Sequence, residues 1–201
     1  MPVKPFADIF QQWPDNDKLC IKDLRLKAVT LMALTLMLRP SDIVPKAVNL
    51  NNQTHMQTNW LFTTDNVRFH DSGCAKVVFH GIKSDTNRSG FEVQMQPTDN
   101  PKLNPVHALK VYIDRTAKLR PVEKPVFLSL VPPYGPISAS TVASILCDAI
   151  KLAGLSNQGF SAKSFRPTGA TIAIETGCDP EITMRQGRWK TGLIEIVVCQ
   201  S

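Results

Sequence analysis

Four separated stretches of the sequence place cationic or indole side chains where a phosphate-binding chemistry needs them. Arg39 stands in Leu38-Arg39-Pro40-Ser41-Asp42, directly after a long apolar segment. Its guanidinium is a rigid fork of donors that matches two phosphate oxygens at once, and Asp42 is spaced to hold it in place. Lys83 lies in the polar run from Gly81 to Gly90. A lysine on such a turn reaches into a neighbouring groove and delivers a proton. In Lys163-Ser164-Phe165-Arg166 two cations are three residues apart at the start of an expected helix. Such a pair shares one helical face, and helix N-termini attract anions. Gly187-Arg188-Trp189-Lys190-Thr191 sets an indole between two cations, and an indole N–H is a hydrogen-bond donor.

Each stretch has a bland alternative. Arg39 at a helix C-terminus is favourable to the helix dipole. Taken alone, Lys83 reads as a solvated turn lysine, and Trp189 has the alternative of a core tryptophan with snorkelling neighbours. The Lys163 and Arg166 pair is harder to dismiss, because positive charge at a helix start opposes the dipole and a bound anion supplies a reason for it.

Several elements must position these groups. Lys22 to Leu38 reads as a helix, with Leu24, Leu31, Leu34 and Leu38 on one face and a second half apolar nearly all round, so it should be central. It should stop before Arg39-Pro40, since a residue preceding proline disfavours helical geometry. Trp60 to Thr63, Lys76 to Phe79 and Phe91 to Met95 have strand character, the last with apolar and polar residues alternating. Asn104-Pro105 opens a helix to about Leu119. Ser138 or Ser140 starts another that Gly154 ends. Ser164 to Thr176 forms a third, and Asp179-Pro180 opens a fourth that closes near Gly187. The expected fold class is α+β: a single, mostly helical domain with a small antiparallel sheet.

Composition narrows the function further. The chain has 201 residues, 43% hydrophobic and 20% charged, with a net charge of +6. That profile excludes wholesale disorder and a multi-span membrane protein. Residues 101–201 hold 12 basic and 7 acidic residues, and residues 1–100 hold 11 and 10, so the second half carries nearly all of the excess. A basic surface suits a polyanion such as nucleic acid. The longest apolar run, Ala28 to Leu38, is shorter than a membrane span, and the N-terminus has no secretory signal. Five irregularly spaced cysteines without a CxxC pair speak against a disulfide framework and a zinc site. With no GxGxxG or GxxxxGK[ST] motif, neither a nucleotide cofactor nor a metal is expected.

Taken in order, these motifs resemble the catalytic domain of the tyrosine recombinases, the phage integrase family. In that family an arginine ends a helix before a Ser/Asp or Ser/Glu pair. A lysine on a β-hairpin, an (H/K)-x-x-R motif, a glycine-flanked His or Trp and a nucleophilic tyrosine follow. The counterparts here are Arg39-Pro40-Ser41-Asp42, Lys83, Lys163-x-x-Arg166 and Gly187-Arg188-Trp189. Gly169-Ala170-Thr171, the Gly177-Cys178-Asp179-Pro180 turn and the spacing from Arg166 to Trp189 also fit. The Gly-Arg-Trp-Lys form resembles recombinases of eukaryotic mobile elements, or host genes derived from them, more than bacterial ones.

The resemblance spans about Leu24 to the C-terminus and implies a recombinase-like domain over residues 22–201 after an N-terminal extension, residues 1–21. It implies catalytic roles for Arg39, Lys83, Lys163, Arg166 and Trp189. Arg39, Lys83, Lys163, Arg166, Arg188 and Lys190 would contact double-stranded DNA, with a homo-oligomer assembled on it. The setting would be nuclear in a eukaryote, otherwise cytoplasmic, and not secreted.

Two features depart from the family pattern. Too little chain precedes Leu24 for the family's DNA-clamping domain, and the position of the nucleophilic tyrosine is Val198. The only tyrosines, Tyr112 and Tyr134, precede the Lys163 motif. The leading expectation is therefore a DNA-binding, integrase-like domain for recombination and integration that lacks strand cleavage. A longer product restoring a tyrosine near position 198 would be an active recombinase. A domesticated protein-interaction module that keeps only the fold is the third reading.

Overall fold

A computed structural model describes residues 1–44, 62–80 and 90–189, together with two short strands at 48–50 and 53–55. Lys83, Lys190 and Val198 lie outside the described residues. The chain is a helical assembly carrying a small antiparallel sheet. In order it forms α1 (Lys4–Gln12), α2 (Ile21–Thr35), α3 (Pro40–Ile43), β1 (Val48–Leu50), β2 (Gln53–His55), β3 (Val67–Phe69), β4 (Ala75–Phe79), β5 (Phe91–Met95), α4 (Pro105–Arg115), α5 (Ala139–Leu152), α6 (Phe165–Glu175) and α7 (Pro180–Gly187).

α2 is the central element, as its nearly all-round apolar second half implies. Ala28, Val29, Met32 and Ala33 have no solvent exposure, and α4, α5 and α6 pack around the helix. Its end is a Schellman closure. The Leu38 N–H bonds the Ala33 carbonyl and the Met37 N–H the Leu34 carbonyl, with Met37 in the left-handed region at φ 52°. This turn swings the chain into Arg39 and α3.

The three-stranded sheet has the order β3-β4-β5, and Phe79 is paired with Phe91 at its end. β4 and β5 agree with the sequence expectation; β3 is too short and too polar, with Arg68 at its centre, to show a period. Of the expected Trp60 to Thr63 strand, residues 60 and 61 lie outside the described residues. Thr63 makes only an isolated bridge to Pro125, because its N–H turns to the Asn66 side chain at 2.9 Å. The four expected helices are present, each ending within a few residues of its sequence signal. Asn104, Ser138 and Asp179 cap α4, α5 and α7 through their side chains. The N-terminal extension carries α1, whose Phe6 and Phe10 are buried in the core, with Phe6 edge-on to Phe165 at 5.6 Å.

Candidate functional site

The corner between α2 and α3 meets the first turn of α6 and the end of α7 around one carboxylate. Asp42 is the third residue of α3, and its Oδ2 accepts the Arg39 backbone N–H at 2.9 Å. The same oxygen accepts Arg166 Nη1 at 3.5 Å and Arg188 Nη2 at 3.1 Å. Asp42 thus binds the backbone of Arg39 and the side chains of two other arginines. The side chains of Arg166, Arg188 and Asp42 are only 6%, 3% and 6% exposed. The Arg39 side chain, in contrast, is exposed.

A second acceptor is shared. The Met37 carbonyl takes Arg166 Nη1 at 3.3 Å and Arg188 Nη2 at 3.1 Å. Arg166 Nη2 also donates to the Gly187 carbonyl, and its guanidinium carbon lies 4.6 Å from the centre of the Trp189 ring. Arg188 packs its guanidinium over Phe91 and Phe79, 5.5 and 6.0 Å from the ring centres. Cations over aromatic faces are attracted by the ring quadrupole, most strongly where water is excluded.

Local sequence explains how the arginines reach this corner. Ser161 accepts the Lys163 N–H and Ser164 accepts the Ser161 N–H, closing a 3-10 turn over Ala162–Ser164 that leads into α6. α6 begins at Phe165, so Lys163 lies exposed in the turn ahead of the helix and Arg166 points into the interior from its first turn. Gly169, one turn on, lets α6 approach α2: a Cβ there would overlap the Leu34 carbonyl oxygen. α7 closes as α2 does. The Trp189 N–H bonds the Met184 carbonyl, the Arg188 N–H bonds the Arg185 carbonyl, and Arg188 is left-handed at φ 58°. Gly187 leaves room for the Trp189 ring, which a Cβ would overlap.

The electrostatics are those of crowded positive charge. Burial first, then the neighbouring Arg188 and Arg39 charges, lower the pKa of Arg166 to about 10, with Asp42 opposing them. Arg188 is likewise lowered, first by burial and then by Arg39, with Asp42 acting against the shift. Arg39 is thus close enough for its charge to act on both buried guanidiniums. Arg166 Nε and Arg188 Nη1 are buried and have no hydrogen-bond partner among the described residues. Two buried guanidiniums therefore share one carboxylate, with the charge of the exposed Arg39 acting on both, an arrangement able to stabilise an added anion.

Of the sequence-derived candidates, the structure brings together Arg39, Arg166, Arg188 and Trp189. It leaves Lys163 exposed in the turn before α6. Sequence reasoning missed the Met37 carbonyl, whose signal, a left-handed non-glycine residue, is not legible in a methionine. It also missed that Arg188 turns inward. Tyr112 is a core residue: its hydroxyl accepts the Leu128 N–H at 3.1 Å and its ring packs on Phe127 at 5.5 Å. A separate apolar cavity of about 410 Å³, lined by Phe6, Phe10, Leu34, Ile172 and Ile182 among others, includes neither Arg39 nor Arg166. No helix among the described residues is long and apolar enough to cross a membrane. Compared with known proteins, the chain matches no family model and no curated sequence.

Proposed function

We propose that this chain is a DNA-binding domain of the tyrosine-recombinase type that holds a backbone phosphate without cleaving the strand. The observation that supports the reading is the meeting of Arg39, Arg166 and Arg188 around Asp42, with Trp189 over Arg166. One carboxylate does not neutralise three guanidiniums, and the surplus favours an anion. The Arg39 and Arg166 guanidiniums would take the nonbridging oxygens of a phosphodiester, where charge develops during attack. Lys83, the family's proton donor to a departing 5′ oxygen, would here serve only as a cationic donor to the phosphate, as would Lys163. The position of the family's tyrosine is Val198. A valine side chain cannot form a phosphotyrosyl link, so the domain binds and does not exchange strands. The partner is double-stranded DNA, bound in a eukaryote within the nucleus, with a second copy on the same duplex.

The test is binding of the full chain to duplex DNA across a salt series. A log–log slope of several units is expected, and replacing Arg39 or Arg166 should weaken binding and reduce the slope by about one. Arg39→Ala is the cleaner variant because that side chain is exposed. Affinity indifferent to salt and to Arg39→Ala overturns the reading. A nicked substrate that traps covalent protein–DNA adducts should yield none.

A further inference from the structure

Arg188 lies where three parts of the proposed site meet. Its backbone ends α7 in the left-handed conformation, one residue before Trp189. Its Nη2 bridges Asp42 Oδ2 and the Met37 carbonyl, both at 3.1 Å, and so grips the corner that leads to Arg39. Its guanidinium covers Phe79 and Phe91, the paired residues at the end of the β4–β5 hairpin. Arg166 uses the same two acceptors from the other side. The Arg188 side chain, 3% exposed, is thus engaged on three elements of the fold at once.

We propose that Arg188 is a positioning residue. It locks the Arg39 corner, the first turn of α6 and the hairpin end into one frame, and does not itself touch the bound phosphate. The inference rests on the phosphate-binding reading for its consequence, but its geometry is testable without DNA. A planar fork is needed, because one guanidinium must span a carboxylate, a carbonyl and two ring faces. The ammonium of a lysine has the charge but not the shape.

The experiment uses the full chain with Arg188→Lys and Arg188→Met. The first readout is Trp189 fluorescence in a background where Trp13→Phe and Trp60→Phe leave it the sole tryptophan. The second is duplex affinity across a salt series. Both Arg188 variants should shift the Trp189 emission, since the Arg166 guanidinium no longer keeps its place over the indole. Both should weaken duplex binding at least tenfold with the salt slope unchanged, and Asp42→Asn should then add little to either variant. Should Arg188→Met fail to fold, Arg188→Lys carries the test. Wild-type emission in both variants overturns the proposal whether or not the chain binds DNA. So does full duplex affinity in Arg188→Lys, which would make charge alone sufficient, and so does a slope reduced by about one, which would make Arg188 a phosphate contact. A wild-type chain that ignores DNA defeats the phosphate reading and leaves the Trp189 result to decide this one.

Discussion

Arg188 Nη2 donates to the Met37 carbonyl at 3.1 Å, and each of these residues is the left-handed non-glycine residue that ends its helix. The two helix closures are therefore bonded to each other. A left-handed residue turns its carbonyl out of the helical ladder, which leaves the Met37 oxygen available to Arg166 and Arg188. An L-residue in this region carries about 1–2 kcal/mol of strain. Here that strain is offset by two charge-assisted bonds to one carbonyl, which are the stronger kind of hydrogen bond. Local backbone shape and the charged cluster are thus one feature of the fold.

The first prediction concerns Asp42. Its carboxylate is the anion the two buried guanidiniums share, so Asp42→Asn removes their compensation while keeping the shape. Removing one partner of a buried ion pair costs about 3–5 kcal/mol. Denaturant unfolding should show a loss of that size, well beyond the effect of Asp148→Asn, whose pairing with Lys151 is exposed. Equal losses for the two variants would show that Asp42 does not hold the cluster together.

A second prediction follows from Gly169. A methyl group there would overlap the Leu34 backbone oxygen, which cannot rotate away. Gly169→Ala should push α6 from α2, cost about 1–3 kcal/mol as overpacking does, and draw Arg166 away from Asp42. Gly135→Ala, at a site with nothing within 4 Å of the added carbon, is the control. Thermal unfolding distinguishes them, and a Gly169→Ala chain as stable as the control would show that the helices have room.

Much of this was legible in the sequence where one residue type has one strong local consequence. Asn104-Pro105, Ser138 and Asp179-Pro180 mark helix starts, and those starts are observed. The apolar run before Arg39 marked the central helix. β5 alternates cleanly and matches from Phe91 to Met95. Short elements were not legible: α1 has Pro2 just before it and Pro5 in its first turn, and β3 is three residues long, so each depends on tertiary packing. At the candidate site the residue types were readable and their partners were not. Asp42 was expected to hold the Arg39 guanidinium, but it takes the Arg39 backbone N–H and the side chains of Arg166 and Arg188, both more than a hundred residues away. Spacing along the chain carries no information about such a convergence.

A third prediction concerns Gly187, which stands against the Trp189 ring. Gly187→Ala should displace the indole from Arg166 with little effect on α7, because alanine favours helices over glycine. The expected result is altered Trp189 emission with helix content retained by circular dichroism. Unchanged emission would mean that the ring does not rest on Gly187.

The last prediction is a pH dependence centred on Lys27, away from the arginine cluster. Lys27 has no solvent exposure; its Nζ donates to Asn16 Oδ1 at 2.8 Å, and Asn16 Nδ2 lies 3.0 Å from His107 Nδ1. Burial, aided by the charge of Lys102 and opposed by Asp15, lowers its pKa from 10.5 to about 8. Between those two values the unfolded chain binds a proton that the folded chain does not. Stability attributable to Lys27 should therefore rise as pH goes from about 8 towards 10.5. Below the lower value the folded state carries the full cost of the buried charge. Lys27→Met keeps the aliphatic bulk, so subtracting its unfolding free energy from that of the parent at each pH removes the titration of cysteines and tyrosines. The difference should move in favour of the parent across that window by an amount of the order of 2 kcal/mol. A difference flat in pH would show that Lys27 keeps an ordinary pKa in the folded chain.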